Sequence, residues 1–134
     1  MENNWKFLHL GVVVRDLDKT VEYFQSIGAD TSQPEHIHPV SKNRIRFIQL
    51  GSLPLELIQP AEGKTPARDF LNKRGQGMFH VAFNVEGFDK EKAKMLEKGA
   101  SIVLSAQRPE GDLAYFEPPE AGSNVIMELI ERRQ

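Results

Sequence analysis

A histidine and a glutamate recur as a pair in the two halves of this chain, and this duplication limits the possible folds more than any other feature. "FLHLGVVVRDLDKTVEYFQSIGA" and "MFHVAFNVEGFDKEKAKMLEKGA" align without a gap at an offset of 71 residues, which superimposes His9 on His80. Further along, "PLELIQP" and "VIMELIER" align at an offset of 72 residues, which superimposes Glu56 on Glu128. Two copies indicate a duplicated module rather than a longer solenoid.

Each copy has the pattern of several strands and one helix. "KFLHLGVVV" and "MFHVAFNV" are rich in β-branched and apolar residues, which is typical of strands. Further strands are predicted at "RIRFIQL", "PLELIQ", "ASIVLSA", "LAYFE" and "NVIMELIE", whereas residues 30–40 show no clear pattern. The predicted fold class is therefore α+β, a single domain of residues 1–134 with tandem β-α-β-β-β modules at about residues 5–60 and 77–132.

Apolar residues at helical spacing follow the first strand of each copy. Asp16 is a suitable N-cap for the first helix, and Gly28 suits its C-terminal end. The second helix is predicted from about Asp89 to Lys98, and the connector at about residues 61–76 is predicted to contain a short helix around residues 67–73. The predicted apolar faces are Leu17, Val21, Phe24 and Ile27 in the first helix and the thinner set Phe88, Ala93, Met95 and Leu96 in the second.

Strand alternation predicts that both histidines point away from the helices. Successive side chains of a strand lie on opposite faces, so the apolar neighbours of each histidine form the helix-facing row. His9 then lies on the other face with Gly11 two places along, and His80 lies there with Ala82 two places along. The small neighbour leaves room for something to approach each imidazole. The glutamate of each copy likewise stands between two apolar residues and faces opposite to them.

Two imidazoles and two carboxylates in matching registers are a possible set of metal ligands. If the two sheets face each other, His9, Glu56, His80 and Glu128 converge on one cleft. Unpaired carboxylates in such a cleft are costly, and a divalent cation compensates them. Nitrogen and oxygen donors without thiolate suit Zn, Mn, Co, Ni or Fe. The alternative is that each histidine is a hydrogen-bonded core residue and each glutamate lies on the solvent side of a half-buried sheet.

The composition argues against several classes of function. The net charge of −2 gives no electrostatic footprint for nucleic acid or for an anionic membrane surface. The absence of cysteine excludes disulfides, thiolate metal sites and cysteine nucleophiles. The N-terminal "MENNWKF" lacks the features of a secretory signal, and no apolar run approaches the length of a membrane span. We therefore expect a cytoplasmic protein with no nucleic-acid or membrane partner.

With these four residues in place, the chain resembles the vicinal oxygen chelate superfamily, which includes glyoxalases, bleomycin resistance proteins and dioxygenases. The resemblance runs from "FLHLGVVVRDLDKTVEYF" to "VIMELIER". It is strongest to the methylmalonyl-CoA epimerases, through "LELIQP" and "TPARDFLNKRGQGMFHVAFNV", and next to glyoxalase I. It implies a curved, half-open barrel-like mixed sheet with outer helices, a homodimer, and one divalent metal ion bound by His9, Glu56, His80 and Glu128.

The resemblance also implies a reaction. The metal would hold two neighbouring substrate oxygens and stabilise the enolate formed when the α-proton leaves. Epimerisation needs a base on each face of that enolate, and Glu128 is implied as one of them. Val40 stands where the epimerases have the other. Glu35 is the nearest carboxylate and is predicted as the second catalytic residue; His36 and His38 could also take a proton, or could belong to a polar surface loop.

Three functions remain open at this point. The first is an isomerase of an acyl-CoA such as methylmalonyl-CoA, and the second is a glyoxalase-type lactoylglutathione lyase acting on a thiol adduct. The third is a non-catalytic small-molecule binding protein, which the missing carboxylate at Val40 favours. An extradiol dioxygenase is disfavoured, because Glu56 would occupy a position that this iron chemistry leaves open. Basic residues of the connector could meet a CoA phosphate or form a solvated segment: Lys64, Arg68, Lys73 and Arg74.

Overall fold

The computed structural model describes residues 3–120 and 125–132 and divides the chain into two compact units. The first unit is His9–Phe79, and the second unit comprises Met1–Leu8 together with His80–Gln134. The units therefore follow the duplication, except that the N-terminal residues belong with the second copy. Within the described part of the chain, no helix has the length and apolar character needed to cross a membrane.

The first unit has the predicted β-α-β-β-β order, followed by the connector helix. Its strands are hydrogen-bonded in the order β2-β3-β4-β1, with β1 and β4 parallel and the other pairs antiparallel. The elements are β1 (Lys6–Val13, within this unit from His9), α1 (Leu17–Ser26), β2 (His36–Ile37), β3 (Arg44–Leu50), β4 (Leu53–Gln59) and α2 (Pro66–Arg74).

The second unit repeats this arrangement. Its strands are ordered β5-β8-β7-β6, with β5 and β8 parallel and the other pairs antiparallel. The elements are β5 (Gly77–Asn84, within this unit from His80), α3 (Phe88–Glu97), β6 (Ser101–Arg108), β7 (Gly111–Glu117) and β8 (Ile126–Arg132). Parallel and antiparallel pairs thus occur in both units, and the predicted α+β class with duplicated β-α-β-β-β modules is confirmed.

Helix α1 begins and ends close to the predicted residues. The Asp16 side chain accepts a hydrogen bond from the Lys19 backbone N–H at 3.0 Å, which satisfies one of the free donors of the first turn. Gly28 follows the helix with φ of 101°, a conformation that glycine adopts without steric cost. Ile27 was predicted wrongly to be in the apolar face: it is the C-cap residue and is 53% exposed. The helix-facing core is Val14, Leu17, Val21, Ala29, Ile48, Leu55 and Leu57.

The region of residues 30–40, which showed no sequence pattern, forms only minimal strand structure. It contributes the two-residue strand β2 and an isolated bridge between Asp30 and Gln49. The predicted connector helix is confirmed as α2, where the Thr65 hydroxyl accepts a hydrogen bond from the Arg68 backbone N–H at 3.2 Å. The short pairing of β2 and of Asp30 depends on the neighbouring strand β3 rather than on local residue preference, which is why residues 30–40 showed no sequence pattern.

Helix α3 lies within one residue of its predicted bounds, but half of its predicted apolar face is wrong. Phe88 is buried and Met95 packs on the core of the second unit, whereas Ala93 and Leu96 are exposed. The buried position is taken instead by Glu91. Its Oε1 accepts hydrogen bonds from Trp5 Nε1 at 2.6 Å and from Lys94 Nζ at 2.8 Å. A carboxylate is tolerated there because both hydrogen bonds stabilise its charged form.

Candidate metal centre

In the first unit, His9 and Glu56 lie against each other on neighbouring parallel strands. His9 is on β1 and Glu56 on β4, and His9 Nε2 is 3.5 Å from Glu56 Oε1. Both residues are about 5% exposed. Gly11 is the register partner of Glu56, so no side chain from that position of β1 competes with the carboxylate for space. The small residue two places after the histidine therefore lies beside the glutamate of the neighbouring strand.

The second unit contains the same arrangement. His80 on β5 and Glu128 on β8 are buried, with 3.1 Å between His80 Nε2 and Glu128 Oε1. Ala82 is the register partner of Glu128, as Gly11 is of Glu56. The duplication is therefore preserved in the register of strand pairing as well as in the order of residues.

An aromatic ring completes each pair, and the sequence repeat did not reveal it. Phe47 on β3 lies opposite Glu56, and its ring is 5.2 Å from the His9 ring in an edge-on arrangement. Tyr115 on β7 lies opposite Glu128 and stacks on the His80 ring at 5.0 Å. Phe47 precedes Glu56 by nine residues, whereas Tyr115 precedes Glu128 by thirteen, so an alignment without gaps cannot superimpose them. The sequence could have indicated these rings only through the presence of an aromatic residue in the strand before each glutamate.

The chemistry of this donor set fits a divalent metal ion. Each unit offers one buried imidazole and one buried carboxylate, which are residue types that hold metal ions. Two carboxylates balance the charge of a divalent ion, and neutral imidazole nitrogen is a common ligand for Zn, Mn, Co, Ni and Fe. Burial alone would penalise the carboxylates, so a cation beside them is favoured.

Glu35, predicted as a catalytic residue, is held by an arginine on the helix side of the first unit. Arg44 donates to both of its carboxylate oxygens, from Nε at 2.7 Å and from Nη2 at 2.8 Å. The same Nη2 also donates to Asp18 on α1 at 3.0 Å. These hydrogen bonds from Arg44 lower the pKa of Glu35 below its usual range. A carboxylate stabilised in its charged form is a weaker base. Glu35 also lies with Arg44 on the opposite side of the strands from Glu56.

The two histidines near Glu35, His36 and His38, have different surroundings. His38 is buried, and its Nδ1 accepts hydrogen bonds from the backbone N–H groups of Val40 and Ser41 at 3.2 Å each, so the ring organises the turn. His36 is exposed and pairs with β3, where its ring stacks on Phe47 at 5.7 Å and 14°. Because Phe47 also contacts the His9 ring, His36 lies on the same face as His9.

Comparison with known proteins identifies relatives along most of the chain. The family model for the glyoxalase/bleomycin resistance protein/dioxygenase superfamily matches residues 8–116. The uncharacterized protein YqjC of Bacillus subtilis is 25% identical over 125 residues, covering 92% of this chain and 89% of that protein. The mitochondrial methylmalonyl-CoA epimerase of Mus musculus is 30% identical over 132 residues, covering 90% of this chain and 70% of that protein.

Solved structures show the same fold. A variant of the Streptomyces coelicolor methylmalonyl-CoA epimerase, in complex with 2-nitronate-propionyl-CoA, matches with a TM-score of 0.78 and 21% sequence identity. The match covers 96% of this chain and 98% of that chain. At this level of identity the likeness concerns the fold, and it confirms the fold that the resemblance implied.

Proposed function

We propose, from the premise that this chain belongs to the glyoxalase/bleomycin resistance protein/dioxygenase superfamily, that it is a divalent-metal-dependent isomerase of an acyl-CoA ester. The reaction would be like that of methylmalonyl-CoA epimerase. The observation that carries the proposal is the buried His–Glu pair in the same strand register of both units. The named epimerase relative supports the reaction type, and the Streptomyces coelicolor complex supports an acyl-CoA ligand.

The proposed ligands of one shared ion are His9, Glu56, His80 and Glu128. Each pair alone supplies two donors, which is fewer than the three or four protein ligands of typical zinc sites. When bound, the ion would act as a Lewis acid that stabilises negative charge developing on a substrate oxygen. The aromatic rings beside the histidines, Phe47 and Tyr115, pack against the imidazoles with centroid separations of 5.2 and 5.0 Å, so they limit the space in which each imidazole can turn.

We assign the two proton transfers to Glu128 and His36. Epimerisation removes a proton from one face of the substrate carbon and returns one to the other face. Glu128 supplies a carboxylate from the second unit. In the first unit, Glu35 is paired with Arg44 and the His38 Nδ1 accepts from the backbone, whereas the His36 ring is exposed on the His9 face. Imidazole is the side chain best suited to accept and return a proton near neutral pH.

The direct test is exchange of the substrate α-proton with solvent. The metal-loaded protein is incubated with each epimer of methylmalonyl-CoA in D₂O, and deuterium incorporation and epimerisation are followed by mass spectrometry and chiral separation. We expect one deuterium per molecule and interconversion of the epimers. An absence of exchange with every divalent metal would reject the isomerase. Turnover of methylglyoxal with glutathione instead would assign a glyoxalase-type lyase, and tight ligand binding without metal or turnover would assign a binding protein.

Single substitutions distinguish the roles of the two proposed bases, Glu128 and His36. We expect His36→Gln to abolish epimerisation while exchange at one face, through Glu128, continues for a single epimer. Glu35→Gln is the matched control in the same loop and should leave both readouts within about twofold of the unchanged protein. If Glu35→Gln abolishes epimerisation and His36→Gln does not, Glu35 is the base and the assignment to His36 is wrong. The expected homodimer is measured separately by sedimentation.

A further inference from the structure

A second candidate site lies on the helix side of the first unit. A cavity of about 640 Å³ opens beside the ends of β3 and β4 and against helix α2. This volume is within the range of roughly 300–1,000 Å³ that small-molecule sites occupy. Four cationic side chains line the cavity: Arg15, Lys42, Arg44 and Arg68. The lining also includes the polar residues Gln59 and Asn72 and a single carboxylate, Glu62.

The positive charge of this cavity is only partly balanced by protein groups. Arg44 is paired with Glu35 and Asp18. Arg68 has only a 3.8 Å contact with Glu62, whose side chain is 98% exposed, so that pair contributes little. Within residues 3–120 and 125–132, neither Arg15 nor Lys42 makes an ion pair. Lys42 Nζ instead donates a hydrogen bond to the Pro39 carbonyl. Because the whole chain carries a net charge of −2, this concentration of positive charge is local to the cavity.

The wall of the cavity is held in place by hydrogen bonds. Arg68 donates from Nε to the Ala61 carbonyl at 3.1 Å and from Nη2 to the Pro60 carbonyl at 2.8 Å, which orients its guanidinium. The buried Asn43 side chain accepts from the Ala61 backbone N–H at 2.8 Å. A cationic group positioned in this way loses little additional side-chain entropy when it binds an anion.

The cavity is separate from the face that carries His9 and Glu56. Arg44 and Gln59 are register partners across β3 and β4, and Gln59 Oε1 accepts from the Leu17 backbone N–H at the start of α1. These two residues therefore lie on the α1 side of the strands. Glu56 is three positions from Gln59 along β4 and points to the opposite face. A ligand in the cavity would therefore lie on the other side of the strands from the His9–Glu56 pair.

We propose that this cavity binds the phosphate groups of a molecule of about nucleotide size. Three of the four cations are arginines. Arg44 and Arg68 contribute positive charge, and the planar guanidinium of Arg15, which pairs with no carboxylate of the described residues, can match two phosphate oxygens at once. The volume exceeds what a single inorganic phosphate needs, so a nucleoside phosphate fits better. The phosphates can come from the nucleotide end of an acyl-CoA substrate, which rests on the proposed function, or from a free nucleotide, which does not.

Calorimetric titration of the purified protein with adenosine 3′,5′-bisphosphate tests the proposal, with adenosine as the uncharged comparison. We expect binding of the bisphosphate that Arg15→Gln weakens at least tenfold and that adenosine does not reproduce. Lys73→Gln, which removes one charge from helix α2 outside the cavity lining, is the matched control and should leave the affinity within about twofold. No binding, or equal weakening by Arg15→Gln and Lys73→Gln, would overturn the proposal.

A competition experiment identifies the source of the phosphate. If saturating propionyl-CoA excludes the bisphosphate from the unchanged protein, the cavity receives the nucleotide end of the CoA ester. If both bind together, the cavity receives a separate nucleotide. Bisphosphate binding that persists in a protein without α-proton exchange would retain the cavity and reject the isomerase, so the two proposals can fail independently.

Discussion

Gly11 and Ala82 lie directly beside Glu56 and Glu128 in the two parallel strand pairs, and their small size leaves the carboxylates room to reach the histidines. At the scale of single residues, other polar side chains are also placed by one or two specific partners. Glu91 is the clearest example in the second unit, because a carboxylate occupies a position that helical spacing would assign to an apolar residue.

Protonation of Glu91 should destabilise the second unit. Hydrogen bonds from Lys94, and next from Trp5, lower the pKa of Glu91 below its usual range. A lowered folded-state pKa stabilises the protein above the unfolded-state value, and this stabilisation is lost as pH falls through the folded-state pKa. The free energy of unfolding should therefore decrease progressively from about pH 5 downward, given an unfolded glutamate pKa of about 4.3.

The measurement is urea unfolding between neutral and acidic pH, followed by the fluorescence of Trp5, the single tryptophan of the chain. Glu91→Gln should reduce the acid dependence relative to the unchanged protein. Glu97→Gln, on the exposed part of the same helix, is the control and should retain it. Identical pH dependence in the unchanged protein and in Glu91→Gln would contradict the assignment.

At the scale of elements, a helix follows the first strand of each unit, and three successive antiparallel strands then bring the chain back. The last of these strands lies parallel to the first strand of its unit. The start of β7 shows how closely these antiparallel strands are packed. Gly111 has φ of 144°, and a Cβ at this position would overlap the backbone carbonyl of Glu131 on the neighbouring strand β8. Glycine is therefore required for both its conformation and its size.

Gly111→Ala should destabilise the protein far more than Gly63→Ala. Gly63 also has a positive φ, 106°, but a Cβ there meets no atom within 4 Å, so its substitution adds only backbone strain. Strain of this kind costs about 1–3 kcal/mol, and overpacking against a backbone that has to move adds about 1–3 kcal/mol. The measurement is the free energy of unfolding in urea, and equal losses for both variants would contradict the predicted steric overlap.

At the scale of the whole molecule, the proposed ion would be bound by one pair from each unit. Loss of either histidine should then lower the affinity of the whole site and reduce the metal content below one ion per chain, because both histidines would be ligands of the same ion. We expect this result for both His9→Asn and His80→Asn, measured by elemental analysis after metal loading. His36→Gln is the control and should keep one ion per chain.

Two ions per chain, reduced to one by either substitution, would contradict a shared site. Removal of the metal by a chelator should also lower the melting temperature, since an ion at 100 times its dissociation constant stabilises the folded state by about 2.7 kcal/mol. This shift should be smaller in His9→Asn and His80→Asn, whose affinity for the ion would be lower, and unchanged in His36→Gln.

The sequence by itself determined the duplicated modules, the bounds of the helices and the candidate ligands. These follow from local periodicity: alternation placed His9 and His80 away from the helices, and Asp16 and Gly28 marked the ends of α1. The repeat carried this information because its two copies keep almost the same spacing between histidine and glutamate.

Only the tertiary structure decided which distant residues meet. The register of β3 with β4 brings Phe47 to His9, and Arg44 holds Glu35 on the α1 side, away from the His9 face. Trp5 contacts Glu91 across most of the chain length. Such contacts depend on strand register and on loop lengths that differ between the copies, and neither quantity is encoded in local periodicity. The cationic cavity was hidden for the same reason, because its arginines are far apart in sequence and come together only when the strands pair.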